Sequence, residues 1–213
     1  WWMEATAEYG ATVGTGSEAH LASGVDGTWL TKPLDTRDRK LHEYVAASFV
    51  RHLAHHDVPF RGLWEATAHT GSSPVAAGAM TGASGSVLQP LRHHVQTVSG
   101  RTLLDHYEQF ARWTLFDTLG PSGAPRPWQW CAGKYQWNPG SSELKLRLNL
   151  EPGYTAKAAC VELAGAAGTF SVRLTRALPA DTTLKAYVLP LQQRTPNPAP
   201  VANVTTSATA LPS

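Results

Sequence analysis

The chain has 213 residues, 42% of them hydrophobic and 16% charged, with eight tryptophans, a profile that excludes a disordered or fibrous protein. Its formal net charge is only +2, and no block of Lys or Arg tracks along a groove, so nucleic acid is not an expected partner. No apolar run approaches the roughly 18 to 20 residues of a membrane span, and no basic start leads into a signal-type apolar stretch.

In chain order, the opening "WWMEATAEYGA" reads as a helix from the interior of a protein. Two large aromatics at a free terminus have little to pack against, so the expectation is a chain whose upstream half is missing. Residues 14–38, with several glycines and Pro33, read as mostly loop. From Arg39 to His56 the period is helical: Leu41, Val45, Ser48, Phe49 and Leu53 share one face, and Lys40, Glu43 and Arg51 fall elsewhere. Shorter helices are expected over Phe60–His69 and Val87–Val98, with the Gly- and Ser-rich "TGSSPVAAGAMTGASG" between them a mobile loop. A further helix covers Thr102–Leu119, with Leu103, Tyr107, Phe110, Ala111 and Thr114 in line and Thr102 with Asp105 as a capping pair.

At "GPSGAPRP", residues 120–127, the punctuation stops a helix and marks a linker. Beyond it the period changes to two. Leu144, Leu146, Leu148 and Leu150 alternate with Lys145, Arg147 and Asn149, and Phe170, Val172 and Leu174, then Leu184, Ala186 and Val188, repeat the pattern. Glu151-Pro152-Gly153 and Pro179-Ala180-Asp181 supply turns. The predicted architecture is α+β: a helical bundle over 1–119, a linker over 120–127, an antiparallel β-sandwich over 128–191 and a Pro/Thr/Ser-rich tail over 192–213. Cys131 and Cys160 are the only cysteines, and either a disulfide or two small buried side chains fits them.

The order Trp1, Glu4, Ala7, Tyr9 in "WWMEATAEY" resembles the second zinc-binding element of the gluzincin metallopeptidases, the thermolysin-like and aminopeptidase-N-like enzymes. In that family an upstream helix carries HExxH and the following helix adds a glutamate. The resemblance implies that Glu4 is the third zinc ligand, because a catalytic zinc takes three protein ligands and leaves a fourth position for water. It implies for Glu8, one turn on, the orienting of a zinc-bound histidine. It also implies that Tyr44, in "LHEYVAASFVRHLA", donates its hydroxyl to the oxyanion of a tetrahedral intermediate. The HExxH itself does not occur: at His42-Glu43 the second histidine's place holds Ala46. The expectation is therefore a fragment of a zinc-dependent peptidase acting on a peptide or protein, inactive by itself, with zinc bound only in the intact protein and an extracellular or cell-envelope location. The alternative is a non-catalytic extracellular binding or structural protein whose β-sandwich recognises a glycan or protein partner. Oligomeric state is left open.

Other residues compete for a role. Glu4 is otherwise an ordinary glutamate near a helix N-terminus, and Tyr44 a half-buried tyrosine beside Leu41 and Val45. His52, His55 and His56 share a helix face but lack a carboxylate or cysteine partner, so a solvated helix end that suits a cation is the expectation; His93-His94 is weaker still as a metal pair. Ser17, His20 and Asp26 lack a nucleophile elbow, "TGASGSV" lacks the Lys of a phosphate loop, and Trp128, Trp130, Tyr135 and Trp137 fit inter-domain packing better than sugar stacking. Asn203-Val204-Thr205 is a glycosylation sequon of little weight.

Overall fold

The computed structural model describes residues 1–16, 29–36, 46–68, 85–116, 131–137, 144–146, 148–151, 153–163, 173–174, 183–184 and 207–208. Five α-helices dominate them: α1 Trp2–Thr15, α2 Ala47–His55, α3 Phe60–Ala68, α4 Gly85–Ser99 and α5 Leu103–Phe116, with a 3-10 turn at Trp29–Thr31. Two of the helix ends have clear local causes. The start of α5 is held by a reciprocal cap, in which Asp105 N–H donates to Thr102 Oγ1 at 3.1 Å and Thr102 N–H donates to Asp105 Oδ2 at 3.1 Å. At the end of α4, Gly100 takes φ 72°, a left-handed conformation that glycine adopts without strain, and its N–H donates to Gln96 O at 3.0 Å. The expected loops and helix starts at 17–28, 37–45 and 69–84 lie outside the described residues.

The helices enclose one core. α1 packs along α2, α3 along α4, and α2 and α4 both against α5. Phe49, Val50 and Leu53 of α2, Leu63 of α3, Leu91 and Val95 of α4, and Leu103 and Phe110 of α5 are at most 1% exposed. Burying side chains of this size contributes about 1.5 to 3 kcal/mol each. The opening tryptophans belong to this core: Trp1 and Trp2 are buried, their rings edge to face at 5.3 Å. The expectation that they lack anything to pack against is thus corrected, because α2 and α3 of the same chain cover the inner side of α1.

Among the described residues the predicted antiparallel β-sandwich is not formed. Residues 144–151 carry no regular structure among those described, and Leu146, Leu148 and Leu150 are 38–41% exposed. An alternating pattern makes a strand only where a second layer covers its apolar face. Here the chain beyond the leucines turns onto the helices instead. Leu34 N–H donates to Tyr154 O at 3.1 Å and Ala156 N–H to Leu30 O at 2.8 Å, while Tyr154, Ala156 and Ala158 pack on the helical core. The predicted turn is used to reach this position: Gly153 has φ 113°, which strains any other residue, and a Cβ there would crowd Pro33 Cβ at 3.2 Å. The strands among the described residues are short. Cys131–Trp137 (β1) pairs with Ala158–Leu163 (β2), and Arg173–Leu174 (β3) pairs in parallel with Ser207–Ala208 (β4), the latter within the stretch read as a tail. Two two-stranded sheets, one of them parallel, cannot be the layers of an antiparallel sandwich.

Cys160, on β2, is disulfide-bonded. The chain divides into two compact units, one of Trp1–Tyr135 with Lys145–Val161 and one of Gln136–Leu144 with Glu162–Ser213.

Candidate functional site

The rotation of α1 about its axis decides what Glu4 can meet. Trp2, Ala5, Thr6, Tyr9 and Thr12 are buried, spaced to fall on one side of a helix that turns about 100° per residue. Two contacts to α3 fix that side inward, and one bond within α1 satisfies a buried hydroxyl on it. Trp2 Nε1–H donates to Thr67 Oγ1 of α3 at 2.8 Å, Thr6 Oγ1–H donates to Trp2 O at 2.8 Å, and the Tyr9 ring meets Phe60 edge to face at 4.9 Å. The opposite side therefore faces outward. Met3, Glu4, Ala7 and Ala11 are exposed there, and Glu8 is half-buried at its edge. Glu4 stands as an accessible carboxylate among small or flexible apolar neighbours. Tyr44 lies outside the described residues, so its position relative to Glu4 is not part of this geometry.

Among the described residues no group of three or more His, Cys, Asp or Glu is placed to hold a metal ion. A catalytic zinc requires three protein ligands, and α1 offers one accessible carboxylate with a half-buried one beside it. These residues alone do not build a zinc centre. Ser17, His20, Asp26, Trp128, Trp130 and Asn203 also lie outside the described residues. Tyr135 and Trp137 are half-buried on β1, His93 is exposed, and His94 is half-buried with its Nε2 close over Gly62 of α3.

The histidines at the end of α2 do not form the solvated cationic end expected of them. His55 is exposed and His56 half-buried, but His52 is only 7% exposed, flanked by Phe49 and Phe110 at ring distances of 6.3 and 5.4 Å. It meets His106 of α5 edge to face at 6.3 Å and His56 at 4.3 Å. Burial, then the nearby His56, His106 and Arg101, push the His52 pKa down to about 3, so the ring is neutral at physiological pH. His106, 1% exposed, has its own pKa lowered by burial, Arg101 and His56, against the opposing pull of Asp105 and Asp57.

His106 carries a hydrogen bond the sequence did not reveal. Its Nε2 lies 2.9 Å from Ser99 Oγ at the end of α4. The Ser99 hydroxyl donates to Val95 O at 2.7 Å and accepts from Arg101 N–H at 3.2 Å, so its single proton is already placed. His106 Nε2–H is then the donor to Ser99, which leaves Nδ1 bare. Both His106 Nδ1 and His52 Nε2 are buried without a hydrogen-bond partner. A Ser–His pair in which the serine proton points at a helix carbonyl is arranged to tie α4 to α5 and not to activate a nucleophile. The signal available in the sequence was spacing: His106 continues the buried row of Leu103, Tyr107 and Phe110.

Among the described residues no helix is long and apolar enough to cross a membrane. No family model matches the chain, and neither the curated proteins nor the solved structures include one that matches it.

Proposed function

We propose that this chain works as part of a gluzincin-type zinc peptidase, supplying Glu4 as the carboxylate ligand to a zinc whose two histidines come from an HExxH helix outside these 213 residues. One observation carries the reading. The outward side of α1 offers Glu4 among Met3, Ala7 and Ala11, small or flexible side chains over which a second helix can approach closely, while the aromatic residues of "WWMEATAEY" are all buried. Glu8, one turn further on, is the residue that would hold a zinc-bound imidazole in orientation. Tyr44 would donate to the oxyanion, a role that rests on its place in "LHEY". The chain alone has no peptidase activity on this account, since it lacks both histidines and the general base. The substrate class is a peptide or protein, and the disulfide at Cys160 supports an extracellular or cell-envelope location.

The experiment is hydrolysis of an unstructured protein substrate such as casein by the complete gene product. Glu4→Gln is expected to lower the rate by about 100-fold or more, and Glu65→Gln, an exposed change beside Arg61, to leave it unaltered. Full activity in the Glu4 variant would end the proposal.

A further inference from the structure

The corner where α2 ends against the turn between α4 and α5 concentrates groups that tolerate no added proton. His52 Nε2 and His106 Nδ1 are buried without partners, and the rings of His52, His56 and His106 lie within 6.3 Å of one another along the chain His56–His52–His106. A proton on His106 Nδ1 creates a buried N–H with no acceptor, and one on His52 puts a buried charge beside two further histidines, a cost that outweighs the backbone hydrogen bond at His106 favouring the charged ring. We propose that this corner is an acid-sensitive latch, in which protonation of the histidines releases the last turn of α2 from the start of α5.

The charged groups around the corner set the sign. Arg101, in the α4–α5 turn, disfavours the protonated form of all three rings. Asp57 favours it at His56 and His106, and Asp105 favours it at His106, but burial and Arg101 outweigh them and both pKa values are lowered. The Asp105 carboxylate is in any case engaged, accepting from the N–H and hydroxyl of Thr102 at 3.1 and 2.6 Å. On α2 itself the other titratable groups are Arg51 and the exposed His55. Of the packed neighbours, α1 brings Glu4, Glu8 and Tyr9; α3 brings the exposed Arg61–Glu65 pair; α5 adds Tyr107, Glu108 and Arg112, with Arg112 and Glu108 3.8 Å apart; α4 carries Arg92, His93 and His94. Of these groups only His55 is among the causes of the histidine shifts, and it too disfavours the proton on His56.

Opening exposes the rings and lets them take up protons that the closed corner refuses, so the open state gains as pH falls. For His52 alone the open population rises by about 100-fold between about pH 7.5 and about pH 4.5. The test combines amide hydrogen exchange with NMR titration of the histidine ring protons on the full chain. Protection factors in the last turn of α2 and the first turn of α5 are expected to fall by at least that factor over this range, with His52 titrating only as the corner opens. In His52→Leu, which keeps the apolar packing and removes the proton acceptor, the fall is expected to shrink to about tenfold or less. An undiminished fall in His52→Leu would overturn the latch. So would a His52 ring in the unsubstituted chain that titrates in the ordinary histidine range without loss of protection, a result that decides the matter even if the variant does not fold.

Discussion

Trp2 Nε1 and Thr67 Oγ1 are joined by a buried hydrogen bond of 2.8 Å across 65 positions of sequence. The bond ties α1 to α3 and sets the rotation of α1, so that Glu4, about 200° further around the helix, faces away from the core. The Thr67 hydroxyl also donates to Leu63 O at 2.8 Å, which leaves it satisfied in both roles. Trp2→Phe is expected to lower stability by about 1 to 2 kcal/mol, and Thr67→Val by about 1 to 3 kcal/mol because it strands a buried indole N–H. The double variant should lose about 1 kcal/mol less than the sum. Urea denaturation of the four proteins measures this coupling, and strict additivity would mean that the bond does not set α1.

Gly62 and His94 mark the closest approach of α3 and α4. A Cβ on Gly62 would lie 3.0 Å from His94 Nε2, while alanine in a helix is favoured over glycine by about 1 kcal/mol. In the unsubstituted chain Gly62→Ala is expected to destabilise, the contact outweighing the propensity. In a His94→Ala background the same change should stabilise by about 0.5 to 1 kcal/mol. Thermal midpoints of the four proteins show the reversal or its absence.

Reduction of the disulfide at Cys160 removes a cross-link and is expected to cost about 2 to 4 kcal/mol. Urea titration with and without reductant should show a lower midpoint in the reduced protein. An unchanged midpoint would mean that the cross-link contributes nothing to cooperative folding.

Stability should fall in acid. The His52 pKa in the folded chain is about 3, below its ordinary 6.5, so the unfolded chain binds the proton first as pH drops. The contribution of His52 is complete above pH 6.5 and is lost down to about 3, at up to about 1.4 kcal/mol per pH unit. Unfolding free energies at about pH 7 and about pH 5 should differ by about 2 kcal/mol from this residue, and His52→Leu should remove that part of the difference.

The sequence was legible where structure is local. The helical period of α5 and its Thr102–Asp105 cap are both realised, since a cap is written within four residues and Leu103, Tyr107, Phe110, Ala111 and Thr114 all lie buried as their spacing requires. Expected helices at Phe60–His69 and Val87–Val98 appear as Phe60–Ala68 and Gly85–Ser99, within the usual uncertainty of helix ends. Where the outcome depended on a distant partner, the reading failed. The leucines of 144–150 alternate as a strand should, but among the described residues no sheet faces them. His52 looked like a solvated helix end because nothing within α2 shows that Phe110 and His106 of α5 close over it. For the candidate site, the motif around Glu4 identified a residue, and only the inward anchoring of Trp2 and Tyr9 showed which way that residue faces.

Zinc content of the complete gene product, with Glu4→Gln and Glu65→Gln beside it, bears on the peptidase reading most directly. One zinc per chain is expected in the unsubstituted protein and in Glu65→Gln, with binding weakened by about 100-fold or more in Glu4→Gln under competition with a chelator. A Glu4→Gln protein that holds zinc as tightly as its parent, or a parent that holds none, would contradict it.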